Sequence, residues 1–144
     1  MEKIIAFFKP PDPKQLAKQW QSNIRKEQRR IDANINEIKR ECMKTTREIK
    51  TCLKRQDINS ARVLAKEIAK ARKTMESLYE TKANYNSISM RLGESVGRLA
   101  QAGSVKTSAE ILKSMNAIAN VGQATKDVVA MSKEMFKLGV IEDV

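Results

Sequence analysis

From Pro13 to Lys54 the chain reads PKQLAKQWQSNIRKEQRRIDANINEIKRECMKTTREIKTCLK. Its larger apolar residues are Leu16, Trp20, Ile24, Ile31, Ile35, Ile38, Cys42, Ile49 and Leu53. They follow one another by steps of three, four or seven, which on an α-helix makes one narrow stripe. Asp12 is a good N-cap, Pro13 suits the first helical position, and Gln15 can complete a capping box. The spacing predicts a single helix over about 13–54, roughly 60 Å long at about 1.5 Å per residue.

The flanking sequence extends this pattern. All three prolines (Pro10, Pro11 and Pro13) precede residue 14, and the first glycine is Gly93. Nothing between them forbids very long helices. Arg55-Gln56-Asp57-Ile58-Asn59 reads as a turn, with Asp57 or Asn59 able to cap the next helix. Leu64, Ile68, Ala71, Met75, Leu78, Tyr85, Ile88, Leu92, Val96 and Leu99 then repeat the stripe, predicting a helix over about 60–102. Two helices of matched length joined by a few residues pack as an antiparallel hairpin.

Gly93, Gly97 and Gly103 weaken the far end, where a helix can either bend or continue. Shorter helices are expected at about 105–119 and 124–138, separated by Asn120-Val121-Gly122, with Gly139 as a C-terminal cap. The expected fold class is all-α: a long hairpin followed by two shorter helices, elongated and able to open. Gly97, Gly103 and Gly122 are its candidate hinges. The expected division is a short amphipathic segment at 1–9 and a helical core at 10–144.

Composition narrows the function. The 144 residues carry 28 Lys+Arg against 17 Asp+Glu, a net charge of +11, and aromatics are only 4%. There is no histidine, so the commonest general base and metal ligand is missing. Cys42 and Cys52 lie too far apart for a zinc pair and read as reduced thiols. No Gly-rich phosphate loop occurs, and the carboxylates read as helix-surface charges. The expectation is no enzyme, no metal and no cofactor. No apolar run approaches the length of a membrane span. Glu2 departs from the myristoylation pattern.

The basic excess is local. Residues 1–73 hold all of the net +11, and residues 74–144 are balanced. Such asymmetry points to an anionic partner, membrane or nucleic acid. On the first long helix Lys18, Arg25, Lys26, Arg29, Arg40, Lys44, Arg47, Lys50 and Lys54 cluster opposite the apolar stripe. Glu27, Glu37, Glu41 and Glu48 fall to one side, between the two. A face needed only for solubility would intersperse both signs, so this basic ridge is a candidate anion-binding surface. At the N-terminus, Ile4, Ile5, Phe7 and Phe8 form a short apolar patch flanked by Lys3 and Lys9. An apolar anchor plus a basic ridge matches the two-signal logic of reversible membrane attachment. Two alternatives stand beside it. A basic coiled coil could bind nucleic acid, although no aromatic stacking platform or readout motif is present. A soluble adaptor could simply pair with another coiled coil.

Several stretches taken in order resemble the ESCRT-III family. They are Asp12-Pro13-Lys14, Trp20-x-x-x-Ile24-Arg25-Lys26-Glu27, Leu64-Ala65-Lys66-Glu67-Ile68 and Leu78-Tyr79-x-x-Lys82-Ala83. Ala102-Gly103-Ser104, Ser132-Lys133-Glu134-Met135 and Gly139-Val140-Ile141-Glu142 extend the match. The resemblance implies a non-enzymatic subunit that polymerises with copies of itself and with sister subunits into filaments on anionic membranes. It implies remodelling of necks that face away from the cytosol, in multivesicular body sorting and abscission. It also implies a cytoplasmic protein peripheral on endosomal membranes, with no nucleic-acid partner. The nine basic positions fall on the family's membrane-facing ridge, and residues 1–9 match the place of its short membrane-inserting helix. The family's acidic C-terminal region, with its motif for a disassembling ATPase, corresponds to sequence beyond Val144. ATPase recruitment is therefore assigned to no residue here, and the uncompensated +11 is expected to favour the open, polymerising state.

Overall fold

The computed structural model describes residues 12–102 and 108–142, with backbone only at residue 13 and at 96–102. Four helices make up these residues: α1 (Pro13–Lys54), α2 (Ile58–Ala102), α3 (Ala109–Asn120) and α4 (Lys126–Lys137). No strand occurs among the described residues. The expected all-α architecture with a long leading hairpin is what the chain adopts. Helix α1 has 42 residues and α2 has 45. Asp12 caps α1: its Oδ1 accepts the Lys14 N–H at 3.2 Å, and its carbonyl accepts from Leu16 at 3.0 Å. Helix α2 runs unbroken through Gly93 and Gly97 to Ala102. Gly103 and the segment at 1–9 lie outside the described residues.

One backbone device closes three of the four helices. At the end of α1 the Asp57 N–H reaches the Cys52 carbonyl at 2.8 Å and the Gln56 N–H reaches that of Leu53 at 3.0 Å. These are the paired bonds of a Schellman motif, which needs a left-handed residue in the penultimate place. Gln56 supplies it with φ +59°. The same pair of bonds ends α3 around Gly122 (φ +72°) and α4 around Gly139 (φ +76°). Glycine adopts this conformation without the Cβ clash that a glutamine incurs. No atom lies within 4 Å of a Cβ built at Gly122 or Gly139, so backbone dihedrals rather than space require glycine there.

The described residues fall into two compact units. One contains residues up to Arg25 and from Asn84 onward; the other contains Lys26–Ala83. In the first, four helix segments surround a closed core: Trp20, Ile24, Tyr85, Ile88, Leu92, Ile111, Ile118, Met131, Met135 and Ile141 are all buried. Its polar ties are specific. The Trp20 indole N–H donates to Glu134 Oε2 at 3.1 Å, and the Gln21 amide donates to the Ser89 carbonyl at 3.2 Å. Arg91 pairs with Glu94 on its own helix and with Glu110 in the first turn of α3. Ser108 and Thr125 cap α3 and α4, and the Ser108 N–H also reaches the Val140 carbonyl at 2.7 Å.

The second unit is a helix pair and a turn. Ile31, Ile35 and Leu78 are buried, but nearer the turn Ile38, Cys42, Ile49, Leu64, Ile68, Ala71 and Met75 are only half-buried. Leu53, expected in the core, is 52% exposed. Two helices alone share one line of contact and leave both margins of their stripes open to water, whereas two further helices cover those margins in the first unit. Lys82 and Asp32 pair across the seam at 2.7 Å, and Lys39 sits 5.9 Å from the Tyr79 ring centroid. The turn resolves the choice of cap: Asp57 Oδ1 accepts the Ser60 N–H at 3.1 Å, and α2 begins at Ile58.

The turn generates two predictions. Gln56→Gly removes the left-handed strain and should raise the unfolding free energy by about 1 kcal/mol, seen as a later denaturation midpoint. Bonds from the Ser60 hydroxyl and backbone N–H hold the Asp57 carboxyl below its ordinary pKa. A folded-state pKa below the unfolded one means the contribution is complete above the unfolded value and is lost as pH falls through the folded one. Acidification below about pH 4 should therefore weaken the wild-type turn. Asp57→Asn, which still caps, should remove this share of the acid sensitivity when melting temperature is followed against pH.

Candidate functional site

Helix α1 sorts its side chains because one face must be buried. At about 100° per residue the apolar stripe fixes which face meets the rest of the fold, and the opposite face is left to water. In the first unit Lys18 and Arg25 are exposed on that outer face. In the second unit Lys26, Arg29, Arg40, Lys44, Arg47, Lys50 and Lys54 are exposed on it. None of the nine makes an ion pair among the described residues. The cations therefore occupy about a third of the helix circumference with their charges unanswered within the described residues.

The acidic flank is more divided than its spacing suggests. Glu37, Glu41 and Glu48 are exposed. Glu27 is only 5% exposed and holds Arg30 at 2.8 Å. Its place at the edge of the apolar stripe draws it into the fold, where a neighbouring guanidinium answers its charge. Arg30 Nη2 is itself buried without a hydrogen-bond partner.

Three features escaped the reading of the sequence. Lys14 is exposed and shares the face of the ridge. Met43 is 59% exposed among Arg40, Lys44 and Arg47, an apolar side chain set into a cationic row. Helix α2 carries its own row, Arg62, Lys66, Lys70 and Lys73, all exposed. Its spacing of four, four and three residues was the available signal.

The candidate hinges separate. Gly97 lies inside α2, Gly103 lies outside the described residues, and Gly122 forms the left-handed cap that ends α3. The candidate apolar anchor (Ile4, Ile5, Phe7 and Phe8) also lies outside the described residues. Between α3 and α4 is a cleft of about 300 Å³ whose lining includes Met115, Val128, Val129 and Phe136. Among the described residues Lys133 is its only ionisable lining residue, so these residues form no acid–base pair there. Cys42 and Cys52 are free and half-buried. Among the described residues no group of three metal-ligating side chains converges, and no helix is long and apolar enough to cross a membrane.

Comparison with known proteins agrees with this arrangement. The Snf7 family profile matches residues 19–144. Charged multivesicular body protein 3 of Homo sapiens is 37% identical over 131 residues, which cover 91% of this chain and 59% of that protein. Its counterpart in Xenopus laevis is 36% identical over the same share of this chain and 60% of its own length. Vacuolar protein sorting-associated protein 24 of Schizosaccharomyces pombe is 32% identical over 143 residues, 99% of this chain and 62% of that protein. The chain thus spans about three fifths of the length of the curated relatives it matches. With a profile match over most of its length and a fold of hairpin plus short helices, the chain belongs to the Snf7 (ESCRT-III) family.

Proposed function

We propose that this chain is a membrane-remodelling subunit that assembles with its own copies and with sister subunits into filaments on anionic membranes. The observation that carries this reading is the ridge of exposed, unpaired cations on α1. A cation near an anionic leaflet contributes on the order of 1 kcal/mol, and a row of them sums without any specific headgroup contact. A straight helix cannot press every residue on a flat bilayer, so the sum over all nine is an upper bound. Met43 adds a flexible apolar side chain to the same face. Residues 1–9 supply the second attachment signal, with Ile4, Ile5, Phe7 and Phe8 entering the interface.

The relatives are named for multivesicular bodies and vacuolar protein sorting. Those names support a place at multivesicular bodies and in vacuolar sorting; we set the chain peripherally on the cytoplasmic side of endosomal membranes, in budding and scission away from the cytosol. In this reading α3 and α4 dock on the base of the hairpin, and Gly97, Gly103 and Gly122 are the points where the chain extends on assembly.

The ridge could also track a nucleic-acid backbone, and one experiment separates the two. The quadruple variant Arg25→Glu, Arg29→Glu, Arg40→Glu, Arg47→Glu alters only exposed side chains, so its circular dichroism should match wild type. Its affinity for vesicles of mixed neutral and anionic phospholipid should fall at least tenfold in co-sedimentation. Deleting residues 1–9 should weaken vesicle binding further. Tighter binding to duplex DNA than to vesicles at physiological salt, unaffected by that deletion, would contradict the proposal.

A further inference from the structure

Between α3 and α4 the first unit leaves an apolar cleft of about 300 Å³. Met115 and Val128 are buried on its inner side, and Ser132, Lys133, Val129 and Phe136 complete the lining used here. Val129 and Phe136 are 43% and 47% exposed, so two large apolar side chains meet water at the rim. Such a patch favours a cover. Lys133 is exposed and makes no ion pair among the described residues. A fitting occupant therefore has an apolar body and one anionic group.

The chain carries such a segment at its start. Residues 1–9, which lie outside the described residues, read Met1-Glu2-Lys3-Ile4-Ile5-Ala6-Phe7-Phe8-Lys9. Ile4, Ile5, Phe7 and Phe8 supply the apolar body, and Glu2 is the only acid before Asp12. The direction of α4 decides which end of the cleft lies near them. Glu134 accepts the Trp20 indole N–H at 3.1 Å, and earlier in the chain the Gln123 carbonyl accepts from the Tyr85 hydroxyl at 3.4 Å. Gln21 reaches the Ser89 carbonyl at 3.2 Å, so Tyr85, one turn before Ser89, stands beyond Gln21 on the side away from the start of α1. Helix α4 therefore runs back towards Pro13, and Lys133 and Phe136 stand in the half nearest that end.

The distances allow the segment to arrive. Pro13 is seven residues before Trp20, about 10 Å of helix. Phe136 is about 200° round α4 from Glu134, so the route to the cleft passes the C-terminal end of a helix about 10–12 Å across. Residues 9–12 can span about 13 Å when extended, and residues 1–8 add their own length. A segment tethered so closely outcompetes free partners through its effective concentration, which is in the millimolar range for short linkers.

We infer that the α3–α4 cleft is the dock for the chain's own residues 1–9, with Ile4, Ile5, Phe7 and Phe8 against Val129 and Phe136 and Glu2 beside Lys133. The cleft and a bilayer then compete for the same apolar side chains. In the free chain the anchor is covered; on a membrane it leaves the cleft and enters the interface. The inference rests on the reading that residues 1–9 attach to membranes, and it adds where they are kept before they do.

Two cysteine pairs test it in the whole chain with Cys42→Ser and Cys52→Ser. One pair is Ala6→Cys with Val129→Cys, at the cleft rim. The other is Ala6→Cys with Ala130→Cys, exposed and about 100° further round α4. At micromolar protein with mild oxidant and no membrane, the first pair should close a disulfide within the monomer about tenfold faster than the second. Lys133→Glu should slow that closure several-fold, and adding Glu2→Lys should restore it. Equal rates for the two pairs, linked dimers in place of linked monomers, or no restoration by the charge exchange would overturn the inference. On vesicles of mixed neutral and anionic phospholipid, the locked monomer should bind as weakly as the chain lacking residues 1–9, and reduction should restore binding. A locked monomer that binds vesicles as well as the reduced one would overturn the membrane role of residues 1–9 and not their docking, which separates the two readings.

Discussion

Everything in this structure depends on one constraint: α1 carries a continuous apolar stripe that no single helix can hide. The stripe must lie against another helix, and the only partner of comparable length is the one that returns from the turn at Gln56 and Asp57. Once α2 covers that face, the opposite face of α1 is committed to solvent along its whole length. Burial and exposure are two consequences of one helical period. The cations of the ridge are therefore held in line by the same packing that stabilises the fold, with no dedicated site architecture.

That constraint is satisfied differently in the two units. Where α3 and α4 add their faces, Trp20, Ile24, Tyr85 and Ile88 are sealed and tied by specific polar contacts such as the Trp20 indole to Glu134. Where only α1 and α2 are present, the seam stays half-open and the charged rows on either side dominate the surface. Such a unit gains little from internal burial and offers straight, regularly spaced faces to other surfaces.

Much of the fold was legible in the sequence. The three-four-seven spacing, the absence of proline after Pro13 and the Asp12-Pro13 start announce α1, and the second stripe announces its partner. Local backbone chemistry was harder to read. Gln56 is not a residue type that signals a left-handed cap, and only the paired bonds to Cys52 and Leu53 reveal it. Leu53 belongs to the stripe by spacing yet stays exposed, because periodicity records which face a residue occupies and not whether anything covers it. Glu27 shows the converse: a carboxylate beside the stripe is buried with Arg30 as its partner. The ridge residues were found because their cations segregate from the stripe, whereas the row on α2 was hidden by counting charge over halves of the chain. Gly93 and Gly97 left open whether the helix bends or continues, and within the described residues it continues through both.

The central claim is that the outer face of α1, and not the hairpin at large, meets the membrane. The most direct measurement places an environment-sensitive fluorophore on single cysteines introduced at Asn36, on the ridge, and at Ala69, on the exposed side of α2, with Cys42 and Cys52 replaced by serine. Both positions are exposed in the free chain. On anionic vesicles containing a lipid-borne quencher, the account predicts strong quenching at position 36 and little at position 69. Equal quenching at both positions, or quenching confined to position 69, would contradict it.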